Sequence, residues 1–348
     1  MKNIYDIEKL RDFDNHKLIV VLKDKSCDLD GFITIHRGGE KYPSFGATRV
    51  WFYESEQEAL IDSLRLSRTM SYKSALAGLN YGGAKATIIR RKKFIRSDIF
   101  RCYSHRINCL GGKFVTGADV GVNGRDLKIM AQECKYIVGL KSDPVRFTAL
   151  GVIVGIKASL KEIYGKDDIS GRNFAIQGVG KTGIGILKLI YQKAGKIYIS
   201  DANKNKLKIV KDRFPKVKIV ELDEIYKQNV DVLSPCALSN SINGKIYKYL
   251  KCKIIAGSAN NQLENETIGG NLYHNGILYA PDYVINSGGL IAVVDEYENS
   301  VFEKERLNKK IIKIKNKLET IFQKSKRSGK PTNLVANQMA EAIFNQYA

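Results

Sequence analysis

Two lysines and an aspartate in the first third of the chain have surroundings that suggest chemistry. The stretch MSYKSALAGLNYGGAKATI holds Lys73 and Lys85. Lys85 follows Gly82, Gly83 and Ala84, small residues that allow a ligand close to the backbone. It precedes an apolar strand where an ammonium is poorly solvated. Desolvation and a neighbouring cation both lower a lysine pKa, which is how lysine becomes a base near neutral pH. Further on, KFVTGADVGVNGRDL sets Asp119 just after an apolar strand end, in a glycine-bounded turn. A carboxylate there can receive a proton from a substrate amine. On pattern alone, solvated surface charge is the competing and weightier reading of this trio.

A second constellation is more specific. The segment FAIQ runs into Gly178, Val179, Gly180, Lys181, Thr182 and Gly183, then into an apolar helical stretch, and a second strand IYIS ends at Asp201. A glycine triplet directly after a strand, opening a helix, with an acid 18 residues past its last glycine, is the dinucleotide fingerprint. Gly178 permits the tight turn, and Gly180 has no Cβ to hold a pyrophosphate away from backbone amides. Gly183 lets helix and strand pack closely, and the helix N-terminus adds partial positive charge. Asp201 can accept hydrogen bonds from a ribose 2′-OH and would repel a 2′-phosphate, which favours NAD over NADP. Lys181, Lys204 and Lys206 nearby are the residues able to tolerate that phosphate.

These groups need elements to position them. KLIVVLKD, GFITIHRG and KATIIRRK read as strands. Between them a helix opens at Ser55, with Ala59, Leu60, Leu64, Leu66 and Met70 at helical spacing. Near residue 150 the pattern changes. TALGVIVGIKASLKEIYG reads as one long helix ending at Gly165, and strands then alternate with helices in βαβ fashion, which means a parallel sheet covered on both faces. From about Ser300 a long amphipathic helix and a short final one follow, long enough to pack back on the first domain. The expected fold class is therefore α/β with two domains separated by a cleft. Residues 1–148 with about 330–348 form an N-terminal α/β substrate and oligomerisation domain; residues 149–329 form a Rossmann, doubly wound NAD-binding domain.

A length of 348 residues, 44% hydrophobic and 27% charged, fits a soluble globular protein of two domains. No apolar run is long enough to span a bilayer, and the mixed-charge start lacks a signal's apolar core, so a cytoplasmic protein without a membrane partner is expected. Cys27, Cys102, Cys109, Cys134, Cys236 and Cys252 lie far apart, with no Cys-x-x-Cys pair. That argues against a metal site and for reduced, mostly buried thiols. The net charge of +21 is spread along the chain without a nucleic-acid motif. It reads as surface charge that favours anionic ligands rather than as a nucleic-acid site.

Five blocks, MSYKSALAGLNYGGAK, VTGADVG, SPCALSNSIN, AGSANNQLENE and APDYVINSGGLI, arranged around the fingerprint, resemble the glutamate/leucine/phenylalanine/valine dehydrogenase superfamily. The likeness is nearest its leucine/phenylalanine branch, with tryptophan dehydrogenases alongside, and runs from Phe45–Arg49 to Asn286–Glu296. The resemblance implies reversible, NAD-dependent oxidative deamination of an apolar or aromatic L-amino acid to the 2-oxo acid and ammonia, by a homo-oligomer. By position it implies that Lys73 binds the substrate carboxylate, that Lys85 is the catalytic lysine, and that Asp119 exchanges protons with the amine. Gly46 and Ala47 match the small pair beside the substrate. Thr148 and Asn286 match residues lining the nicotinamide, and Ala259 with Asn260 the loop near the cofactor ribose. The family commonly has a second glycine at Ala47 and asparagine at Lys181, and KSDPVRFT replaces its longer loop before Thr148. Phe45, Leu76, Ala77 and Leu290 are candidate walls for an apolar side chain, with ordinary core the alternative for each. No cation stands where a side-chain carboxylate would need one, which disfavours glutamate. Two other readings remain: a family oxidoreductase acting on a non-standard amino-acid-derived substrate, and a non-catalytic relative that binds nucleotide or nucleic acid.

Overall fold

The computed structural model describes residues 6–39, 41–237, 239–299 and 301–344. The ends of the chain and Leu238 in the SPCALSNSIN block fall outside the described residues. Two compact units divide the chain. One comprises residues 1–142, 293–302 and 342–348; the other comprises 143–292 and 303–341. Against the expected borders near 148 and 330, the first division falls at Asp143. Most of the C-terminal helical region stays with the second unit. The reason is a long apolar stripe on that region, described below.

In the first unit, β1 (Leu18–Asp24), β2 (Leu29–Ile35), β3 (Ser44–Trp51), β4 (Gly82–Ile89) and β5 (Phe114–Ala118) form a mixed sheet in the order β1-β2-β4-β3-β5. The hairpin side is antiparallel, while β3 runs parallel to both β4 and β5. Helix α1 (Glu56–Leu76) follows β3, and its N-cap Ser55 accepts from the Glu58 N–H. Helices α2 (Arg96–Asn108) and α3 (Gly124–Glu133) follow, the latter closed by an Asn123/Asp126 capping box.

Strand alternation sorts the side chains between faces. Ala84, Ala86 and Ile88 of β4, with Val50 of β3, join a core containing Ile99, Phe100 and Tyr103 of α2 and Leu127 and Met130 of α3. Lys85, Thr87 and Arg49 therefore point to the opposite face, where α1 lies; there Thr87 Oγ1 donates to the Ala59 carbonyl at 3.1 Å. A buried lysine enters the molecule because its neighbours in the strand are held on both sides.

The second unit opens with α4 (Pro144–Tyr164), stopped by Gly165 in the left-handed region at φ 75°. It continues through β6 (Phe174–Gln177), α5 (Lys181–Ile190), β7 (Ile197–Ser200), α6 (Lys204–Arg213), β8 (Lys218–Ile219), β9 (Val232–Pro235), β10 (Ile254–Ile255), α7 (Glu266–His274), β11 (Leu278–Tyr279) and α8 (Asp282–Ile285). The chain ends in α9 (Gly288–Glu298), α10 (Lys304–Ser328) and α11 (Thr332–Phe344). The sheet order is β11-β10-β9-β6-β7-β8 with every pairing parallel, as the alternation of strands and helices requires. Leu307, Ile311, Ile314, Leu318 and Ile321 form the buried stripe of α10, which packs along α4. Among the described residues no helix is long and apolar enough to cross a membrane.

One expectation about sulfur is overturned. Cys27, in the β1–β2 turn, and Cys102 on α2 are joined as a disulfide, with Cα atoms 6.7 Å apart and a sequence separation of 75. The close approach of α2 to the hairpin creates a pairing that no local spacing announces.

Candidate active site

The two charged residues expected to act together do meet. Lys85 Nζ donates to Asp119 Oδ2 at 2.5 Å although 34 residues separate them. The contact follows from topology. β3 lies between β4 and β5, so Lys85 within β4 and Asp119 just past the end of β5 flank the same strand. That middle strand supplies Arg49, whose Nε donates to the same Asp119 Oδ2 at 3.1 Å, and the Asp119 N–H donates to the Thr48 carbonyl at 3.1 Å. The Lys85 side chain is only 6% exposed and that of Asp119 17%.

Burial sets the electrostatics. It pushes the Lys85 ammonium below the usual lysine range; Asp119 works against that shift, and the Arg49 cation adds to it. Burial would raise Asp119, but the Lys85 and Arg49 cations outweigh it and hold the carboxyl well below its ordinary value. The result is an ionised acid against a lysine biased toward its neutral form.

Arg49 and Asp62 are site residues that the sequence reading did not single out. Arg49 Nη1 donates to Asp62 Oδ2 at 3.0 Å, and Asp62 stands on α1. The only linear signal was an acid inside the buried stripe of α1, next to Ser63 and Leu64.

The glycines before Lys85 have a different reason from the one expected. A Cβ on Gly82 would meet the Arg37 carbonyl oxygen at 1.7 Å, and one on Gly83 the Ser71 nitrogen at 2.0 Å. The space is filled by the chain's own backbone, so these residues let α1 and the β2 end approach β4. Gly46 is similar: its Cβ would strike the Ala84 carbonyl oxygen at 2.0 Å. Ala47 is half-buried, and alternation puts it on the Lys85 face of the sheet. Lys73 lies on α1 two residues beyond the Gly83–Ser71 contact, with its side chain buried. Phe45 is 1% exposed and stacked edge-on by Tyr81 and Tyr297, with ring centroids 4.8 and 5.3 Å away. Leu76 and Leu290 are buried too, and Ala77 is half-buried.

In the second unit the fingerprint has its expected form. Gly178 sits at φ 96°, where a side chain is strained and its Cβ would collide with Ala237. Gly183 packs on the Gly178 carbonyl, where a Cβ would come within 2.1 Å. A Cβ at Gly180 meets nothing within 4 Å, which is the open approach a pyrophosphate needs. Lys181 and Thr182 form the first turn of α5, exposed and half-buried respectively. Asp201 Oδ2 accepts from the Val179 N–H and Oδ1 from the Asn203 N–H, both at 2.9 Å. The carboxylate is thereby fixed beside the glycine turn, and each oxygen retains a second lone pair.

The remaining four positions also converge. Asn286 Nδ2 donates to Asn260 Oδ1 at 2.9 Å, and Ala259 is the neighbouring residue. A Cβ on Gly289 would meet Thr148 Oγ1 at 2.5 Å, so Thr148 abuts the turn that follows Asn286. Asn286 Oδ1 is buried with no hydrogen-bond partner among the described residues. The altered stretch KSDPVRFT is a helix start rather than a loop: Asp143 caps α4, Pro144 occupies its first turn, and Thr148 Oγ1 donates to the Pro144 carbonyl at 2.7 Å.

A Rossmann-type parallel sheet with this glycine turn, and a separate unit carrying a buried lysine–carboxylate pair, define a dehydrogenase of the two-domain α/β class. The chain belongs to the glutamate/leucine/phenylalanine/valine dehydrogenase family. Residues 198–345 match the model described as Glutamate/Leucine/Phenylalanine/Valine dehydrogenase, and residues 17–136 match the dimerisation domain of the same family. The chain is 39% identical to a leucine dehydrogenase of Thermoactinomyces intermedius, covering 97% of this chain and 92% of the relative. It is 37% identical to a phenylalanine dehydrogenase of Bacillus thermotolerans, over 94% of this chain and 87% of that one. Among solved structures, the L-tryptophan dehydrogenase of Nostoc punctiforme superposes with a TM-score of 0.80 at 38% identity, covering 95% and 96% of the two chains.

Proposed function

We propose that the protein oxidises an apolar or aromatic L-amino acid with NAD, yielding the 2-oxo acid, ammonium, NADH and a proton, with water consumed. The observation that carries this reading is the Lys85–Asp119 hydrogen bond at 2.5 Å, a buried lysine against a half-buried carboxylate. Leucine, phenylalanine and tryptophan dehydrogenases among the relatives give the class of side chain.

Residues Gly178–Gly183 with the N-terminus of α5 would hold the pyrophosphate, and Asp201 the adenosine ribose. The unpartnered Asn286 Oδ1, with Thr148, Ala259 and Asn260, is suited to a nicotinamide carboxamide and its ribose. Bound NAD supplies the hydride acceptor. The negative charge of Asp201 favours a 2′-hydroxyl over a 2′-phosphate.

The first unit handles the amino acid. The Lys73 ammonium binds the α-carboxylate, which fixes the Cα position. Asp119, ionised, takes a proton from the substrate ammonium, because hydride can leave Cα only when the nitrogen lone pair is free to form the iminium. Neutral Lys85 Nζ then removes a proton from water as it attacks that carbon. Lys85 passes that proton to solvent and then takes the carbinolamine hydroxyl proton while Asp119 returns its own to nitrogen. The C–N bond breaks, and the ammonia takes up the second proton from Lys85 to leave as ammonium. Two titratable groups with separated proton affinities, sharing one hydrogen bond, suit a reaction that moves protons both ways. The N-terminal segment matching a dimerisation domain supports a homo-oligomer.

The test is NADH formation from NAD and each of the twenty L-amino acids at mildly alkaline pH. Activity on leucine, valine, phenylalanine or tryptophan, with none on glutamate, is the expected result. Silence across the panel from folded protein that still binds NAD contradicts the reading.

A further inference from the structure

Arg49 is a half-buried cation with a carboxylate on each side. Its Nε donates to Asp119 and its Nη1 to Asp62, and its side chain is 16% exposed. Asp62 Oδ2 also accepts from the Tyr53 hydroxyl at 2.8 Å, and Asp62 Oδ1 from Arg65 Nη2 at 2.8 Å. Charge therefore alternates in sign along Lys85, Asp119, Arg49, Asp62 and Arg65, drawn from β4, the residue past β5, β3 and α1. Buried ion pairs of this kind add little net stability compared with apolar packing of the same volume. Their effect is to fix geometry and local potential. A guanidinium fork suits that task because it is planar, permanently charged and able to donate in two directions at once.

We propose that Arg49 is a positioning residue: clamped by Asp62, it holds the Asp119 carboxylate against Lys85 and keeps a fixed positive charge there, so that Lys85 Nζ works as a base rather than as a permanent cation. The inference rests on the reading of Lys85 and Asp119 as the reacting pair. Its geometry is specific. Lys85 Nζ and Arg49 Nε converge on one oxygen, Asp119 Oδ2, so the carboxylate cannot turn toward one cation without the other. The charged groups acting on Lys85 are Asp119 and Asp62, which favour its ammonium, and Arg49, which opposes it. Removing Arg49 or Asp62 must therefore move Lys85 in opposite directions.

Cyanate carbamoylates only a neutral amine. The pH dependence of carbamoylation at Lys85, read by peptide mass on the full-length enzyme, reports its ionisation without any turnover. The rising limb of kcat/KM against pH, measured with whichever of L-leucine, L-phenylalanine or L-tryptophan turns over fastest, reports the same group in the reaction. In Arg49→Gln both midpoints should move to higher pH by about one unit. Arg49→Lys should bring them back while kcat stays reduced, because an ammonium cannot bridge two carboxylates as the fork does. Asp62→Asn should move both to lower pH by a smaller step, and this variant decides the matter if the Arg49 variants do not fold. Unmoved midpoints, or shifts of the same sign in Arg49→Gln and Asp62→Asn, overturn the proposal. Carbamoylation midpoints that move as expected beside a fixed kinetic limb would instead remove Lys85 from its place in the reaction.

Discussion

Around Lys85 the first unit gathers charge, whereas around Gly178–Gly183 the second unit gathers bare backbone. The lysine region takes residues from three separate elements and from the turn after β5, and its groups reach partners 34 and 70 positions away in the chain. The glycine region is a single strand–turn–helix, tied to the next strand's end by the Val179–Asp201 hydrogen bond. On the proposed function, the difference follows from what each binds. A pyrophosphate is held by amides and a helix end, which any strand–turn–helix offers once side chains are out of the way. Proton transfer at an amine needs titratable groups whose proton affinities are separated by desolvation and neighbouring charge. Such groups can be buried only when partners from elsewhere in the chain meet them.

The comparison is broken most forcefully at Asp119. Replacing it by Asn removes the anion that Lys85 and Arg49 share, leaving only a neutral amide oxygen, and with it the proposed proton acceptor for the substrate amine. Turnover should fall by about 10³-fold, within the range for loss of a positioned acid or base, while the Kd for NAD stays close to the wild-type value. Steady-state kinetics with a parallel NAD titration checks both. An equal loss of NAD binding would show that the two regions are not separable in the way described.

A gentler perturbation falls on the second region. On the proposed function, Asp201→Asn removes a charge that disfavours a 2′-phosphate and retains a hydrogen-bonding side chain beside the glycine turn. The ratio of kcat/KM for NAD to that for NADP should drop by about tenfold, corresponding to roughly 1.4 kcal/mol. A ratio that does not change would take Asp201 out of cofactor choice.

The smallest effect concerns stability, and it belongs to the first unit alone. His16 is held down to about 4, chiefly by burial, then by the nearby His36, against the Leu64 carbonyl and Asp14. Between pH 6.5 and about 4 the unfolded chain takes up a proton that the folded state refuses, so stability falls as pH is lowered through that window. The loss should be about 1–3 kcal/mol after allowance for the part-exposed ring. Urea unfolding at pH 7 and pH 5, compared with His16→Gln, measures it; a pH dependence equal in both proteins would rule the histidine out. Asp14, held at about 2 by its hydrogen bond to His36, adds its own loss only at lower pH.

The same contrast explains what could be read from the chain. The fingerprint, the Gly165 stop of α4 and the Ser55 cap of α1 are written in contiguous residues, and all three have their expected form. Lys85 and Asp119 were visible as candidates because each lies beside an apolar strand. Arg49 is visible only as part of a family block, and Asp62 only as an acid among the apolar residues of α1, a weak signal because a partnered acid on a helix resembles a solvated one. The Cys27–Cys102 pairing was hidden by its separation of 75 residues. The glycines before Lys85 read as room for a ligand, and the backbone that lies closest to Gly82 and Gly83 is the protein's own.

The central claim is that Lys85 performs the chemistry and has no part in holding the dinucleotide. The direct measurement is NADH formation by Lys85→Ala beside calorimetric titration of the same protein with NAD. The account predicts turnover reduced to background with NAD affinity unchanged. Turnover at the wild-type level, or NAD binding lost along with activity, would contradict it.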